Sequence, residues 1–138
     1  IDEIQADPFR GSGAVHNPEL EMVEARKNID FFANLKAQMW WSLRMRFQNT
    51  YRALQGMQYD PDALISLSTE DLDKRELEQL KRELSQPTYS KNGAGKILVN
   101  KQPDGALSPN RADSVMICFS DIKPPARLRP GGGGSRSF

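Results

Sequence analysis

The segment SPNRADSVMICF, residues 108–119, carries the side chain whose placement most invites chemistry. Read as a helix, it stacks Ala112, Val115, Met116 and Phe119 into one apolar stripe. Asp113 falls on the edge of that stripe. A carboxylate at a core edge is costly unless it is paired with a cation, hydrogen-bonded or bound to a metal. Pairing with a neighbouring Arg or Lys is the plainest of these outcomes. With one Cys and one His in the whole chain, a zinc site of the usual type is improbable. Any metal would therefore sit on carboxylate oxygens. No second acid is obviously poised to complete such a site. Asp7 precedes a proline and suits a turn, Asp104 belongs to an Asp-Gly turn, and Asp121 lies beyond the expected helix end.

The remaining reactive residue types read quietly. His16 is expected at a surface or turn position. Cys118 is expected as a buried, reduced thiol, with no histidine beside it in sequence. The GAGK run at 93–96 is too short for a phosphate loop and falls in a hairpin turn rather than between a strand and a helix.

The elements that must position Asp113 follow from hydrophobic spacing. Residues 1–7 can form a short strand anchored by Ile1 and Ile4, broken by Asp7-Pro8 and Gly11-Ser12-Gly13. Over residues 31–54, Phe32, Leu35, Met39, Leu43, Phe47, Tyr51 and Leu54 recur at steps of three and four. This spacing predicts a helix of about six turns with one buried face, stopped near Gly56. Trp40 widens the stripe, whereas Trp41 projects away from it toward another element. Residues 60–68 begin with a turn and pass into an apolar run of open type. Ser68 is expected to cap a second helix, with Asp71 in its first turn, Leu77, Leu80 and Leu84 inward, and Pro87 at its end. Its Glu and Lys residues read as a solvated face. Residues 88–101 predict a β-hairpin, turning at Asn92-Gly93 and returning over Lys96–Asn100. The last helix is expected to start with Ser108 as N-cap and Pro109 in its first position.

Composition bounds the function class. The chain has 138 residues, 38% hydrophobic and 27% charged, with a formal net charge of +1. The length suits one domain. Mean hydropathy is -0.64 and no apolar run approaches a membrane span, so no membrane role is expected. The near-neutral total conceals segregation. Residues 31–59 carry Lys36, Arg44, Arg46 and Arg52 with no acid, while the blocks before and after are acidic, and residues 84–138 are basic again. Ordinary solvated faces explain such blocks, and so does a phosphate-facing surface.

The segments DPFRGSGAVHNPE, FFANLKAQMWWSLRMRFQNTYRA, LSQPTYSKNGAGKILVNK and SPNRADSVMICF, in this order and spacing, resemble the large terminase subunit of tailed bacteriophages. The likeness is to the C-terminal half of its nuclease domain and extends over roughly residues 1–120. It implies an α/β fold class, a partial RNase H-like nuclease fold with a mixed sheet and flanking helices, over residues 1–122. Residues 123–138 are then a flexible basic Pro/Gly-rich tail. The implied function is a metal-dependent endonuclease that cuts concatemeric double-stranded DNA as viral DNA is packaged. The family pattern Ser-Pro-(Asp/Asn)-x-Ala-Asp corresponds to Ser108 through Asp113, and its last acid ligates a catalytic divalent metal. That carry-over makes Asp113 the catalytic and metal-binding residue, for Mg²⁺ or Mn²⁺ in a two-metal site with ions about 3.5–4 Å apart. Oxygen-only ligation suits the shortage of Cys and His. Lys101 and Arg111 become DNA-binding residues that contact phosphate.

Further implications are a portal protein and a small terminase subunit as partners beside viral DNA, and a place in the host bacterial cytoplasm. The family's other two catalytic acids and its ATPase domain lie upstream of anything in this sequence. The isolated chain is therefore expected to be nuclease-inactive. The competing reading is a non-catalytic module that binds DNA or portal through the basic blocks. A purely helical adaptor is disfavoured by the hairpin.

Overall fold

In a computed structural model the described residues are 10–120, so the expected strand over residues 1–7, Asp7, Asp121 and the tail lie outside them. The order is α1 (Asn28–Phe31), α2 (Leu35–Leu54), a 3₁₀ turn (Pro61–Ala63), α3 (Lys74–Ser85), β1 (Thr88–Lys91), β2 (Ile97–Asn100), a second 3₁₀ turn (Pro103–Gly105) and α4 (Asn110–Phe119).

Helix α2 starts four residues later than the apolar spacing suggests. Asn34 is its N-cap and accepts from the Ala37 N–H at 2.9 Å, which fixes the first turn. Phe32, the first residue of the predicted stripe, is instead extended and forms a parallel bridge with Ile97. The Ala33 N–H donates to the Ile97 carbonyl at 2.9 Å. Two amides pin the preceding loop, Gln38 to α2 and Asn28 to α1. Gln38 both donates to and accepts from the His16 backbone, at 2.9 and 2.7 Å. Asn28 donates to the Asn17 carbonyl at 2.9 Å and accepts from the Met22 N–H at 3.0 Å. Both amides are buried, so their hydrogen bonds offset their desolvation.

Residues 60–68 form no strand. They lie along α2, held by polar side chains on its outer turns: Asn49 donates to the Asp60 and Ala63 carbonyls, and the Thr50 hydroxyl accepts from the Ile65 N–H at 2.9 Å. Helix α3 is capped by Asp73 rather than Ser68. Asp73 accepts from the Glu76 N–H at 2.8 Å and Glu76 accepts from the Asp73 N–H at 3.1 Å, a complete capping box that a Ser-x-x-Asp pair cannot match.

The sheet is a two-stranded antiparallel hairpin, with Thr88 opposite Asn100 and Lys91 opposite Ile97. The mixed sheet expected from the sequence is thus reduced, among the described residues, to this hairpin and the single parallel bridge at Phe32. That bridge makes β2 central, which accounts for burial of Ile97 and Val99 while β1 stays exposed. The turn is wider than an Asn-Gly pair. Asn92 accepts from the Ala94 and Lys96 N–H groups through its side chain, and Gly95, not Gly93, takes the left-handed φ of 77°. GAGK does lie in this turn.

The core collects Phe32, Leu35, Met39, Trp40, Leu43, Ile97 and Val99 under Ala112 and Met116 of α4. The α4 stripe is as expected, with Val115 and Phe119 packed at its margin. Trp41 does meet other elements, edge-on to Phe31 at 5.3 Å and to Tyr89 at 5.1 Å between ring centroids. The stripe of α2 is only half covered, however: Phe47, Tyr51 and Leu54 are exposed.

Candidate metal and phosphate site

Lys101 follows β2 immediately and Asp113 sits in the first turn of α4. Between them the chain makes the 3₁₀ turn at Pro103–Gly105, in which Asp104 has a φ of 51° and is exposed, as its sequence context suggests. Gln86, just past α3, staples this loop by donating to the Lys101 and Leu107 carbonyls at 2.5 and 2.9 Å. The loop therefore delivers Lys101 to Asp113 from a fixed frame.

The two side chains meet. Lys101 Nζ donates to Asp113 Oδ2 at 2.6 Å, with 30% and 19% of their side chains exposed. The other oxygen, Oδ1, is buried and has no hydrogen-bond partner among the described residues. One half of the carboxylate is therefore satisfied by a charge-assisted bond and the other is desolvated with nothing to offset it. The acid also lies where the helix N-terminus favours negative charge.

Arg111 does not join them. Two residues from Asp113 on α4, it is rotated about 200° away around the helix. Its guanidinium instead reaches Glu76 Oε1 of α3 at 3.5 Å, and its backbone N–H donates to Glu83 Oε1 at 3.3 Å. Glu83 thereby supplies the N-terminal acceptor expected of Ser108. The helix begins one residue later than expected, with Pro109 as an N-cap that has no side-chain acceptor. The Pro109 ring is fully buried, so it anchors the turn to the core instead of occupying the first helical position.

Glu83 and Gln86 are the residues that sequence reasoning missed. The signal was present for Glu83: with Glu76 and Leu80 it follows steps of four and three, one inward face of α3 rather than a solvated one. Cys118 corrects a further expectation. It is exposed, because it lies two residues beyond the buried Met116 and so on the opposite side of α4. His16 is held through its backbone alone among the bonds formed here. Among the described residues no group of three His, Cys, Asp or Glu side chains is placed to hold a metal ion. Asp113 fits as one oxygen ligand, and a complete site needs others from beyond these residues. No helix is long and apolar enough to cross a membrane.

No family model matches the chain, and no curated protein does. Solved structures do. The nuclease domain of the large terminase subunit gp2 of bacterial virus Sf6 matches with a TM-score of 0.72 and 34% identity, covering 86% of this chain and 53% of that one. A point mutant of the same domain with manganese and beta-thujaplicinol gives the same values. A mutant form with calcium gives a TM-score of 0.70 and 33% identity, over 85% of this chain and 52% of the other. The present chain thus spans about half the length of the domains it matches. In sequence and fold it is similar to the nuclease domain of the large terminase subunit of bacterial virus Sf6.

Proposed function

We propose that the chain contributes the last metal-ligating acid to a divalent-metal endonuclease of a phage DNA-packaging terminase. Asp113 is the ligand and catalytic residue, and Lys101 and Arg111 are phosphate contacts. The observation that carries this reading is Asp113 Oδ1, a buried carboxylate oxygen without a partner beside a lysine that already holds its twin. A divalent cation is the natural counter-charge for such an oxygen. The relatives with manganese and calcium support a divalent ion, and Mg²⁺ or Mn²⁺ would serve. A divalent metal held by Asp113 together with ligands from beyond the described residues would supply Lewis-acid chemistry toward water and a phosphodiester.

The chain's own residues do the rest. Lys101 holds the Asp113 carboxylate in one orientation, and its ammonium is the cation nearest an incoming phosphate. Arg111, on the far side of α4 and paired with Glu76, would contact phosphate on a separate face and only by loosening that pair. We further propose an RNase H-like sheet for the complete domain, viral double-stranded DNA as substrate, the portal protein and small terminase subunit as partners, and the host cytoplasm as the compartment. With Asp113 the one acid proposed as a ligand among the described residues, the isolated chain is proposed to be nuclease-inactive.

Manganese titration followed by NMR tests the ligand. Resonances around Asp113 should broaden in the full chain, and Asp113→Asn should abolish the effect; equal broadening in both refutes the assignment. Magnesium- or manganese-dependent nicking of plasmid by this chain, lost in Asp113→Ala, would refute its inactivity. DNA binding, if phosphate-led, should weaken steeply with salt, and Lys101→Ala and Arg111→Ala should each lower the salt slope by about one. The same ion pair also favours a second reading, in which Asp113 is purely structural and the chain a DNA- or portal-binding module. On that reading, Asp113→Asn leaves the metal response unchanged.

A further inference from the structure

Helix α3 reaches the Asp113 site through hydrogen bonds to the backbone on either side of it. The helix is fixed in its own right, by the capping box at Asp73 and by Leu84 packed on the core near its end. Glu83 and Gln86, three residues apart, leave it on one face. Glu83 is only 7% exposed. Its Oε1 accepts from the Arg111 N–H at 3.3 Å, and its Oε2 has no partner among the described residues. Pro109, the N-cap of α4, has no side-chain acceptor, so Glu83 does from a distance what a cap residue does locally. The turn it caps closes on the Asp113 N–H, which donates to the Pro109 carbonyl at 2.7 Å. Gln86 donates to the Lys101 and Leu107 carbonyls, the two ends of the loop between β2 and α4.

We infer that Glu83 and Gln86 are the positioning residues of the Asp113 site. Glu83 sets Asp113 through the first turn of α4, and Gln86 sets Lys101 through the loop. A carboxylate buried with one oxygen unpartnered costs stability. An apolar side chain at residue 83 would spare the fold that cost, but it could not hold the Arg111 N–H, two residues from Asp113. The contact at stake is short: Lys101 Nζ and Asp113 Oδ2 lie 2.6 Å apart on separate segments, and α3 with its cap hydrogen-bonds the backbone of both. Groups that orient a metal ligand without touching the metal change affinity tenfold or more when lost, on the order seen in other metal sites. The meaning of this frame rests on the proposed ligand role of Asp113; its geometry does not, and a metal-free measurement reads it.

The test records the ammonium resonance of Lys101 by NMR in the nitrogen-labelled full chain. Held against Asp113, the ammonium protons exchange slowly enough to be seen, and Asp113→Asn removes the signal and so assigns it. Glu83→Ala and Gln86→Ala should each lose the signal, although neither side chain touches the ammonium. Glu83→Gln should restore it, because the amide keeps an acceptor for the Arg111 N–H and its nitrogen replaces an oxygen that bonds nothing. Should Glu83→Ala not fold, Glu83→Asp, which withdraws the acceptor by one methylene, takes its place beside Gln86→Ala. Leu35→Ala, a core truncation at the start of α2, destabilises the chain generally and should keep the signal. Manganese affinity, read from broadening around Asp113, should fall about tenfold or more in Glu83→Ala and Gln86→Ala and hold in Glu83→Gln. Persistence of the ammonium signal in either truncation, its equal loss in Leu35→Ala, or failure of Glu83→Gln to restore it overturns the proposal. So does a wild-type chain without the signal, or one manganese affinity shared by all variants. The expected ammonium pattern in a chain that shows no manganese response upholds the positioning and refutes the ligand role of Asp113 instead.

Discussion

The Lys101–Asp113 pair makes an asymmetric prediction. Its side chains are 30% and 19% exposed, between the surface and buried limits, so each partner's loss should cost an intermediate amount. Asp113→Ala leaves an ammonium on a flexible stem that can reach water, and also removes a favourable charge from the first turn of α4. About 1 kcal/mol is expected, half of it from the helix dipole. Lys101→Met keeps the stem but strands a carboxylate whose Oδ1 is already buried without a partner, and Oδ2 loses its only charged donor. That should cost about 2 kcal/mol, or roughly 10 °C in melting temperature for a folded unit of this size. In the double variant the stranded charge is gone and the cost should return to about 1 kcal/mol. The coupling energy is then about 2 kcal/mol, well outside the error of a denaturation cycle. Urea unfolding of the four proteins measures it. Manganese should restore stability to Lys101→Met preferentially, because the cation replaces the missing counter-charge at Asp113. If Asp113→Ala proves the more damaging single change, or the coupling is near zero, the carboxylate is not under desolvation stress and the case for a cation at Oδ1 fails.

Three further outcomes follow from the packing. Met116→Ala, at a residue 2% exposed between α4 and the core, should cost about 3 kcal/mol by thermal or urea unfolding. Gly95→Ala should cost about 1 kcal/mol, because φ at 77° is strained for any side chain even though nothing lies near the added carbon. Cys118 is exposed and should react with a thiol reagent in the native protein about as fast as after unfolding, so that the native and denatured kinetic traces superimpose; a much slower native reaction would contradict its exposure.

Local spacing made much of this molecule legible. The α4 stripe, the first half of the α2 stripe, the hairpin and the end of α3 before Pro87 follow from periodicity and turn chemistry, which act between residues close in sequence. What sequence reading misplaced depends on contacts far apart in the chain. The start of α2 was misread because Phe32 belongs to a bridge with Ile97, a partner 65 residues away that no local pattern announces. The cap of α4 was misread because the acceptor comes from Glu83, 28 residues back, rather than from the adjacent Ser108. Asp113 was identifiable as an anomaly from its place on the stripe, but the cation that meets it was one of several candidates until the Gln86 staple fixed the loop.

The incomplete coverage of α2 joins these strands of reasoning. A helix whose apolar face runs unbroken from Leu35 to Leu54, in sequence, is written for burial along its full length. Here the first half is buried by β2 and α4, and the second half ends in solvent beside a groove with an unsatisfied indole and an uncompensated arginine. The same pattern recurs at the chemical site, where one carboxylate oxygen is paired and its twin is buried with nothing opposite. The Trp40 and Asp113 deficits are of one kind: desolvation already incurred, with the compensating partner missing among the described residues, whereas Arg44 is exposed and solvated. Three buried side-chain atoms, Trp40 Nε1, Glu83 Oε2 and Asp113 Oδ1, are left without a partner among the described residues, and on the proposed reading the last is where a divalent cation would be met.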